Sequence, residues 1–218
     1  MRAKSDTNLE RFGDWTLRVR PAASKPARLL LLIHGWTGDE NSMWVFVRRF
    51  AATYWIAAPR GPHTTQPSGY SWRVFPTEPG APPRLDDLRP AAASLVAFAD
   101  EYSSANAIDA RQFDAIGFSQ GAALVNTLAL LYPGRVGRLG ILAGFVPAGA
   151  ESLVESRPLE GKRFFVAHGT QDDRVGVDVE RQSIQLLERA GARVTFCEDE
   201  VGHKVSASCL RALEAFFA

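Results

Sequence analysis

The sequence predicts an α/β fold with a mostly parallel, twisted sheet of about seven strands and helices on both faces. Short apolar runs alternate along the chain with segments of helical periodicity, which is the order that βαβ units produce. Most of the apolar runs are nearly continuous, as expected of strands that helices cover on both sides. The chain has 218 residues and no internal repeat, so we expect a single domain over 1–218.

Seven segments have the length and composition of strands. They are 15–20, 28–33, 54–58, 113–118, 138–143, 163–167 and 193–197. Five segments show helical periodicity: 41–52, 85–104, 120–132, 177–190 and 205–217. The fourth predicted helix is followed by Gly191, which suits a left-handed stop. The last repeats Leu210, Leu213, Phe216 and Phe217 at helical spacing, a stripe that would cover the sheet.

Residues 59–83 are too rich in proline and glycine for regular structure. A connection this long is uncommon in a compact domain and is usually functional or disordered. Its aromatic residues, Tyr70, Trp72 and Phe75, argue against plain disorder. We therefore predict an ordered excursion over one edge of a pocket, with a flexible linker as the alternative.

Composition and charge limit the possible partners and locations. The formal net charge is +1 without a basic patch, which disfavours nucleic acid as a partner. The N-terminus lacks the apolar core of a secretory signal, and the longest apolar run, 29–33, is too short to cross a bilayer. We expect a cytoplasmic protein with no integral membrane segment, as a monomer or homodimer. Cys197 and Cys209 are accordingly expected as free thiols, with a disulfide as the alternative.

The sequence Gly-Phe-Ser-Gln-Gly at 117–121 lies between a predicted strand and a predicted helix. A serine on such a sharp turn needs glycines on both sides, because the backbone is strained and the helix packs close to the strand. The turn would lift the Ser119 hydroxyl above the sheet and place it at the positive end of the helix. Ser119 is the predicted nucleophile.

A serine nucleophile needs a base, and the chain offers four histidines. His34 and His168 each end a buried strand and are predicted to be structural, although the loop after His34 could direct backbone N–H groups at an oxyanion. His63 lies in the proline-rich excursion, where surface placement is expected. His203 follows Val201-Gly202 in the loop between the final strand and the final helix, and it is the predicted base.

The third member of such a triad should lie between serine and histidine in the chain. Asp172 and Asp173 follow the strand 163–167, at the strand end where α/β sheets place their active sites. Spacing alone does not choose between them. Glu198, Asp199 and Glu200 also precede the histidine but are expected to line its loop.

Taken together, these residues resemble the α/β-hydrolase superfamily, and within it the carboxylesterase and lysophospholipase branch that includes acyl-protein thioesterases. The resemblance runs from about Leu29 to the C-terminus. It is carried by 31–40 (LLIHGWTGDE), 58–62 (APRGP), 117–124 (GFSQGAAL), 168–175 (HGTQDDRV) and 202–203 (GH). The family pattern His-Gly-x-x-Asp-x-x-Val implies that Asp172 is the acid, and the resemblance implies an oxyanion hole formed by the backbone N–H groups of Trp36 and Gln120.

The resemblance implies a serine hydrolase of the α/β-hydrolase fold that cleaves carboxylic esters or thioesters through an acyl-enzyme, with no metal and no organic cofactor. We expect a small-molecule ester or acyl substrate, contacted by Trp36, Tyr70, Trp72 and Phe145. Trp36 is a bulky side chain beside the expected acyl site, so the size of the substrate is open. Arg73 is expected to be an exposed arginine, with an anionic substrate group as the alternative. Cleavage of a lactone, lysophospholipid or peptide, or a non-catalytic binding role, are the competing interpretations.

Overall fold

The computed structural model describes residues 7–74, 82–109 and 111–218. The strands in chain order are β1 (Asn8–Phe12), β2 (Trp15–Arg20), β3 (Arg28–Ile33), β4 (Tyr54–Pro59), β5 (His63–Thr64), β6 (Tyr70–Ser71), β7 (Phe113–Phe118), β8 (Val136–Leu142), β9 (Arg163–Gly169) and β10 (Arg193–Asp199). The α-helices are α1 (Leu85–Ala105), α2 (Gln120–Leu131), α3 (Glu151–Val154), α4 (Val177–Arg189) and α5 (Ala207–Phe217).

Eight strands form one sheet in the order β1-β2-β4-β3-β7-β8-β9-β10, while β5 and β6 pair in a separate hairpin. The six strands from β4 to β10 are mutually parallel, and β2 and β1 add to the edge in antiparallel fashion. The predicted mostly parallel sheet is confirmed, with eight strands instead of about seven. The strand of this sheet that the sequence did not reveal, β1, is a largely exposed edge strand, and its Leu9 is 58% exposed.

Both faces of the sheet are covered, which explains the continuous apolar run of β3. Leu29, Leu31 and Ile33 enter the core beneath α1, α2 and α4. Leu30 and Leu32 enter the opposite core, which α5 covers together with the segment that follows β3. Because successive side chains of a strand point to opposite faces, a strand between two cores must be apolar at every position.

The helix predicted over 41–52 was wrong. Only Trp44–Phe46 form a single 3-10 turn there. The Asp39 carboxylate accepts the Asn41 N–H at 2.9 Å and the Ser42 hydroxyl at 2.9 Å, and the Trp44 indole donates to the Glu40 carbonyl at 2.8 Å. These local bonds to side chains compete with a helical ladder. Met43, Val47 and Phe50 of this segment are nevertheless buried, so the helical spacing of its apolar residues reflected burial without a helix. The short helix α3 was not predicted.

The two cysteines are not free thiols, contrary to the expectation from the sequence. Cys197 of β10 and Cys209 of α5 form a disulfide, with their Cα atoms 5.7 Å apart. The strand and the helix pack against each other, so residues twelve apart in sequence meet. Disulfides are typical of oxidising compartments, and the cytoplasmic location stays a prediction. Within the described ranges, the structure contains no helix that is both long and apolar enough to cross a bilayer.

The proline-rich segment 59–83 is ordered over the part that the structure describes. It forms the β5–β6 hairpin, and Tyr70 bridges to Gly38 in the loop after β3, with the Tyr70 N–H donating to the Gly38 carbonyl at 2.9 Å. Phe75, one of the three aromatic residues on which the prediction of order rested, lies outside the described residues.

Candidate active site

Ser119 lies on the sharp turn between β7 and α2, in a backbone conformation that residues with a side chain rarely adopt (φ 54°, ψ −118°). A Cβ atom on Gly117 would lie 2.3 Å from the Gly121 carbonyl oxygen, and one on Gly121 would lie 2.1 Å from the Ile33 carbonyl oxygen. Both flanking glycines are therefore required by close backbone approach, as the sequence predicted. The turn is held by a bond of 2.9 Å from the Ser119 N–H to the Leu142 carbonyl.

Helix α2 begins directly after the serine. The Ser119 carbonyl accepts the N–H groups of Ala122 and Ala123 at 2.9 and 3.1 Å, which leaves the amide of Gln120 in the first turn, where helices carry partial positive charge. The Gln120 side chain contacts the excursion, at Ser71 and Trp72. Its amide oxygen accepts the Trp72 N–H at 3.0 Å and its nitrogen donates to the Ser71 hydroxyl at 3.1 Å. Gln120, the residue after Ser119, thus links the excursion to the turn between β7 and α2.

His203 and Asp172 meet as a buried pair. The imidazole Nδ1 donates to the Asp172 carboxylate at 2.7 Å, and the other carboxylate oxygen accepts the N–H groups of Arg174 and Val175 at 2.9 and 3.0 Å. The Asp172 side chain is fully buried. Burial opposes ionisation, but the hydrogen bonds from Val175, His203 and Arg174 outweigh it and hold the pKa of Asp172 below its ordinary value.

The other carboxylates that the sequence left open lie elsewhere. Asp173 is exposed. Glu198 pairs with Arg181 at 2.9 Å, and Asp199 accepts the Ser208 hydroxyl at 2.6 Å. The structure therefore brings Asp172 to the histidine, and spacing in the sequence could not have distinguished it from its neighbour.

Ser119 and His203 line the same cavity, and the ring of Phe118 packs 5.0 Å from that of His203. Among the described residues, no hydrogen bond joins the serine hydroxyl to the histidine. Catalytic hydrogen bonds in unliganded enzymes are often long and tighten only when substrate is bound. A serine and an imidazole thus line one cavity, and the imidazole is held by a buried carboxylate.

The loop after β3 runs along the opposite wall of the cavity. His34 Nδ1 donates to the Gly35 carbonyl at 2.7 Å, and His34 Nε2 accepts the Gly61 N–H at 2.9 Å, so the imidazole is neutral and its tautomer is fixed. Burial lowers the pKa of His34, consistent with that neutral form. The loop then turns tightly, with Thr37 in the left-handed region (φ 65°) and the Gly38 N–H bonded to the Gly35 carbonyl at 3.0 Å.

The segments 31–40 and 58–62 are joined by an ion pair. Arg60 reaches the buried Glu40 with two bonds of 2.7 and 2.9 Å, and its guanidinium lies 4.5 Å from the centre of the Tyr70 ring. The hydrogen bonds from Arg60 hold the pKa of Glu40 below its ordinary value. The ion pair fixes the base of the excursion against the loop that carries Trp36.

The cavity has a volume of about 910 Å³ and a mainly apolar lining. The large apolar residues of that lining, called the apolar wall below, are Trp36, Met43, Phe46, Phe118, Phe145 and Val175. Trp36 and Phe145 were expected there, whereas the other four were not. The signal for Met43 and Phe46 was present in the sequence, as apolar residues close to the loop after β3, but they lay within the segment 41–52 that was predicted to be a helix and were not singled out.

Tyr70 and Trp72 do not line this cavity, although the sequence indicated that they contact substrate. The Trp72 side chain is buried behind the site, where its indole N–H donates to the His34 carbonyl at 2.8 Å. The Tyr70 hydroxyl accepts from Arg60 at 3.1 Å. Arg73 was expected to be exposed, but its side chain is only 10% exposed; it lines the cavity and pairs with Asp87 at 3.1 Å.

Comparison with known proteins agrees with this geometry. The phospholipase/carboxylesterase family matches residues 16–218. A probable SOBER1-like carboxylesterase of Arabidopsis thaliana is 26% identical over 216 residues, which covers 92% of this chain and 82% of the relative. A probable carboxylesterase of Oryza sativa subsp. japonica is 26% identical over 211 residues, which covers 89% of this chain and 78% of the relative.

Solved structures show the same fold. A carboxylesterase from Mesorhizobium loti superposes with a TM-score of 0.83 at 24% identity, covering 97% of this chain and 98% of its own. The Bacillus cereus carboxylesterase superposes with a TM-score of 0.81 at 23% identity, covering 94% of each chain. At this level of identity the superpositions establish a common fold, and the chemistry has to be argued from the residues of the site.

Proposed function

The chain belongs to the phospholipase/carboxylesterase family of α/β-hydrolases, an esterase-type enzyme family, and we propose that it hydrolyses carboxylic esters through a Ser-His-Asp triad and an acyl-enzyme intermediate. Ser119 is the proposed nucleophile, His203 the base and Asp172 the group that orients the base. The observation that carries the proposal is the cavity shared by Ser119 on its strained turn and by His203, whose Nδ1 is held by a buried carboxylate at 2.7 Å.

The proposed reaction has two halves. Ser119 Oγ attacks the substrate carbonyl while His203 Nε2 takes the hydroxyl proton, and Asp172 stabilises the imidazolium that forms. The backbone N–H groups of Gln120 and Trp36 are the proposed donors to the oxyanion. The imidazolium then gives its proton to the leaving alcohol, and a water molecule activated by His203 releases the acid from Ser119. These steps use only groups of the chain and water.

The shape of the cavity supports esters with an apolar acyl chain. A volume of about 910 Å³ exceeds what a short acyl group fills, and the side chains of Met43, Phe46 and Phe145 offer it an apolar wall. Trp36, which could have closed the site, is 46% exposed and leaves the cavity open. Thioesters present a carbonyl of the same geometry and are the second class of substrate that the triad would accept.

The test is kcat/KM on p-nitrophenyl esters of increasing acyl length, with Ser119→Ala as the blank and Ser104→Ala, an exposed serine of α1, as the matched control. Each methylene buried against the apolar wall should raise kcat/KM about fourfold, since it contributes about 0.8 kcal/mol. We expect a rise from acetate through medium-length chains. Ser119→Ala should lower kcat by about 10⁶-fold, as in a comparable triad, and Ser104→Ala should leave it unchanged.

A fluorophosphonate probe gives an independent measurement. It should add one phosphonyl group to the protein at Ser119, located by mass spectrometry of the peptide, and none to Ser119→Ala. If wild-type protein neither reacts with the probe nor exceeds the Ser119→Ala blank with any ester, the hydrolase proposal is overturned. The fold would then serve a non-catalytic binding role.

A further inference from the structure

Behind the triad carboxylate lies a second buried pair that the proposed reaction does not use. His168, at the end of β9, and Glu180, in the first turns of α4, both have fully buried side chains. His168 Nδ1 lies 3.4 Å from Glu180 Oε2, and His168 Nε2 lies 3.4 Å from Asp172 Oδ2, the oxygen that accepts from His203. These contacts connect four groups in a row, in the order His203, Asp172, His168 and Glu180.

Burying His168 and Glu180 costs folding free energy that a purely structural role would not explain. Among the described residues, His168 Nδ1 and the two Glu180 carboxylate oxygens have no well-directed hydrogen bond, and the groups close enough to favour the ionised form of Glu180 are His168 and the Gly144 backbone N–H. A buried carboxyl without partners destabilises a fold unless it stays neutral or faces a positive charge. A polar group left in this condition calls for an explanation, and its position against the triad supplies one.

The position of one proton is settled by geometry. The Val175 carbonyl lies 2.8 Å from His168 Nε2, and since a carbonyl can only accept, Nε2 carries a hydrogen. The exchangeable proton of the pair is therefore shared between Nδ1 and the Glu180 carboxyl. With the proton on Glu180 both groups are neutral; with it on Nδ1 the pair is an imidazolium and a carboxylate. The total charge is the same, but only the second form places a positive charge against Asp172.

We propose that His168, supported by Glu180, is a positioning residue of the triad, which holds the loop of Asp172 in place and sets the charge that this carboxylate presents to His203. The inference rests on the proposed function. The positioning part follows from Val175, whose N–H donates to Asp172 and whose carbonyl accepts from His168. Both backbone groups of Val175 are thereby hydrogen-bonded. These two bonds hold the loop between β9 and α4 in place around the Asp172 carboxylate.

The charge-setting part has a definite sign. An imidazolium at His168 competes with His203 for the negative charge of Asp172, and so leaves less of that charge to stabilise an imidazolium at His203. Burial opposes that imidazolium, but Glu180 and Asp172 outweigh burial and raise the pKa of His168. Burial raises the pKa of Glu180 as well, so the pair holds on to its one proton. On the neighbouring strand Glu198 stands opposite His168 in register, but its carboxylate pairs with Arg181 of α4.

Three variants separate the two parts. His168→Gln keeps an N–H that can reach Val175 but cannot become a cation. Glu180→Gln removes the group that stabilises the cation and leaves the imidazole in place. His168→Leu removes both the cation and the hydrogen bond to Val175. His63→Gln, a histidine of the β5–β6 hairpin outside the cavity lining, is the matched control.

The first readout is the acid limb of the kcat/KM profile. His168→Gln and Glu180→Gln should both move it to higher pH, by on the order of one unit, because His203 then experiences the full charge of Asp172. His168→Leu should lower kcat by about 10- to 100-fold with little change in KM, the range seen when outer-shell partners of active-site histidines are lost. His168→Gln should recover most of that loss, and His63→Gln should change neither quantity.

The second readout does not depend on activity. Titration of the ¹⁵N-labelled imidazoles by NMR in the unliganded protein should show the pKa of His203 rising in His168→Gln and in Glu180→Gln. If activity is absent but this shift is present, the proposed function fails while the coupling stands. If the pKa of His203 is the same in wild type and in both glutamine variants, or if His168→Gln loses as much kcat as His168→Leu, the pair only fills space and the inference is overturned.

Discussion

Two buried aspartates lie at opposite ends of the same sheet. Asp114, near the start of β7, accepts from Arg28 at 3.0 Å, from the Tyr54 hydroxyl at 2.8 Å and from the Arg138 backbone N–H at 2.7 Å. Asp172, just beyond the end of β9, accepts from His203 at 2.7 Å and from two backbone N–H groups. Each side chain is fully buried, and each carboxylate has a comparable set of donors.

The two sites differ in what the partners can do. Arginine stays protonated at any pH a protein survives, so the charge around Asp114 is fixed, and burial together with Asp114 raises the pKa of Tyr54 out of the working range. The partner of Asp172 is a histidine, which can gain and lose a proton near neutral pH, and it faces a cavity. The surroundings of Asp114 are therefore those of a structural carboxylate, whereas Asp172 has the kind of partner that the proposed reaction requires.

The largest effect should come from Asp172→Asn, which would break the catalytic side of this comparison. Asparagine fills the same space but cannot hold His203 in the required tautomer or stabilise its cation, so kcat should fall by roughly 10⁴-fold, as for the same change in a comparable triad. Steady-state kinetics on a p-nitrophenyl ester measure it. Asp173→Asn is the matched control and should retain wild-type activity; equal losses in the two variants would contradict the assignment of Asp172.

Asp114→Asn should show the opposite pattern. Removing one partner of a buried charge cluster leaves the other charge without compensation, and we expect a loss of about 3 kcal/mol in the free energy of unfolding, near the low end of the usual range because Arg28 is 54% exposed. The kcat of the folded variant should stay within about threefold of wild type, since the site is at the other end of the sheet.

Urea denaturation of Asp114→Asn and of the exposed control Asp109→Asn gives the comparison directly. A large fall in kcat without loss of stability would show that the two ends of the sheet are coupled, and would undo the distinction between them.

The sequence predicted the parts of this molecule that local rules govern. Leu29 to Ile33 had to be a strand covered on both faces, and the glycines around Ser119 had to permit a close turn; the structure has both. The fold class and the esterase-type family followed from these segments. The placement of Ser119, His203 and the adjacent Asp172 and Asp173 at one end of the sheet also followed, because parallel strands deliver their carboxyl ends to one edge, whereas the choice of Asp172 came from the resemblance to a family.

What the sequence could not supply depends on contacts between distant segments. The bonds that Asp39 makes to Asn41 and Ser42 replace the predicted helix, and no helical period reports them. The pairing of Cys197 with Cys209 depends on how α5 packs on β10. Trp72 was assigned to substrate because it is aromatic and lies in a loop, whereas its place is decided by the His34 carbonyl, a group of another segment.

The disulfide offers a further test of the comparison between Asp114 and Asp172, because it lies at the end of the sheet where Asp172 and His203 meet. Cys197 and Cys209 are separated by 12 residues, and His203 lies in the loop between them. Reduction by dithiothreitol yields two thiols and raises the conformational entropy of that loop in the unfolded chain. The free energy of unfolding should therefore fall by about 2 to 3 kcal/mol. We expect kcat of the reduced protein to fall several-fold as the histidine loop loosens.

Measurement of Tm and kcat before and after reduction tests both effects. Dithiothreitol should leave a Cys197→Ser/Cys209→Ser protein unchanged, which controls for effects of the reagent. A reduced wild-type protein with full kcat would show that the contacts of Asp199 with Ser208 and of the Val201 carbonyl with the Gln171 N–H suffice to hold the loop.

The smallest effect concerns stability at acid pH, and it isolates the contribution of Asp172 to the free energy of unfolding. Its pKa is lower in the folded than in the unfolded state, so its ionised form stabilises the fold above the unfolded pKa, and that contribution is lost as pH falls through the folded pKa. The unfolding free energy of wild type should therefore decline from about pH 5 to about pH 2 more steeply than that of Asp172→Asn.

Because the Asp114 cluster is the same in both proteins, its contribution to the free energy of unfolding cancels in this difference, and what remains belongs to Asp172. Parallel declines of the two curves would mean that the hydrogen bonds from Val175, Arg174 and His203 only balance the cost of burying the carboxylate. The catalytic aspartate would then differ from Asp114 in having no net role in holding the fold.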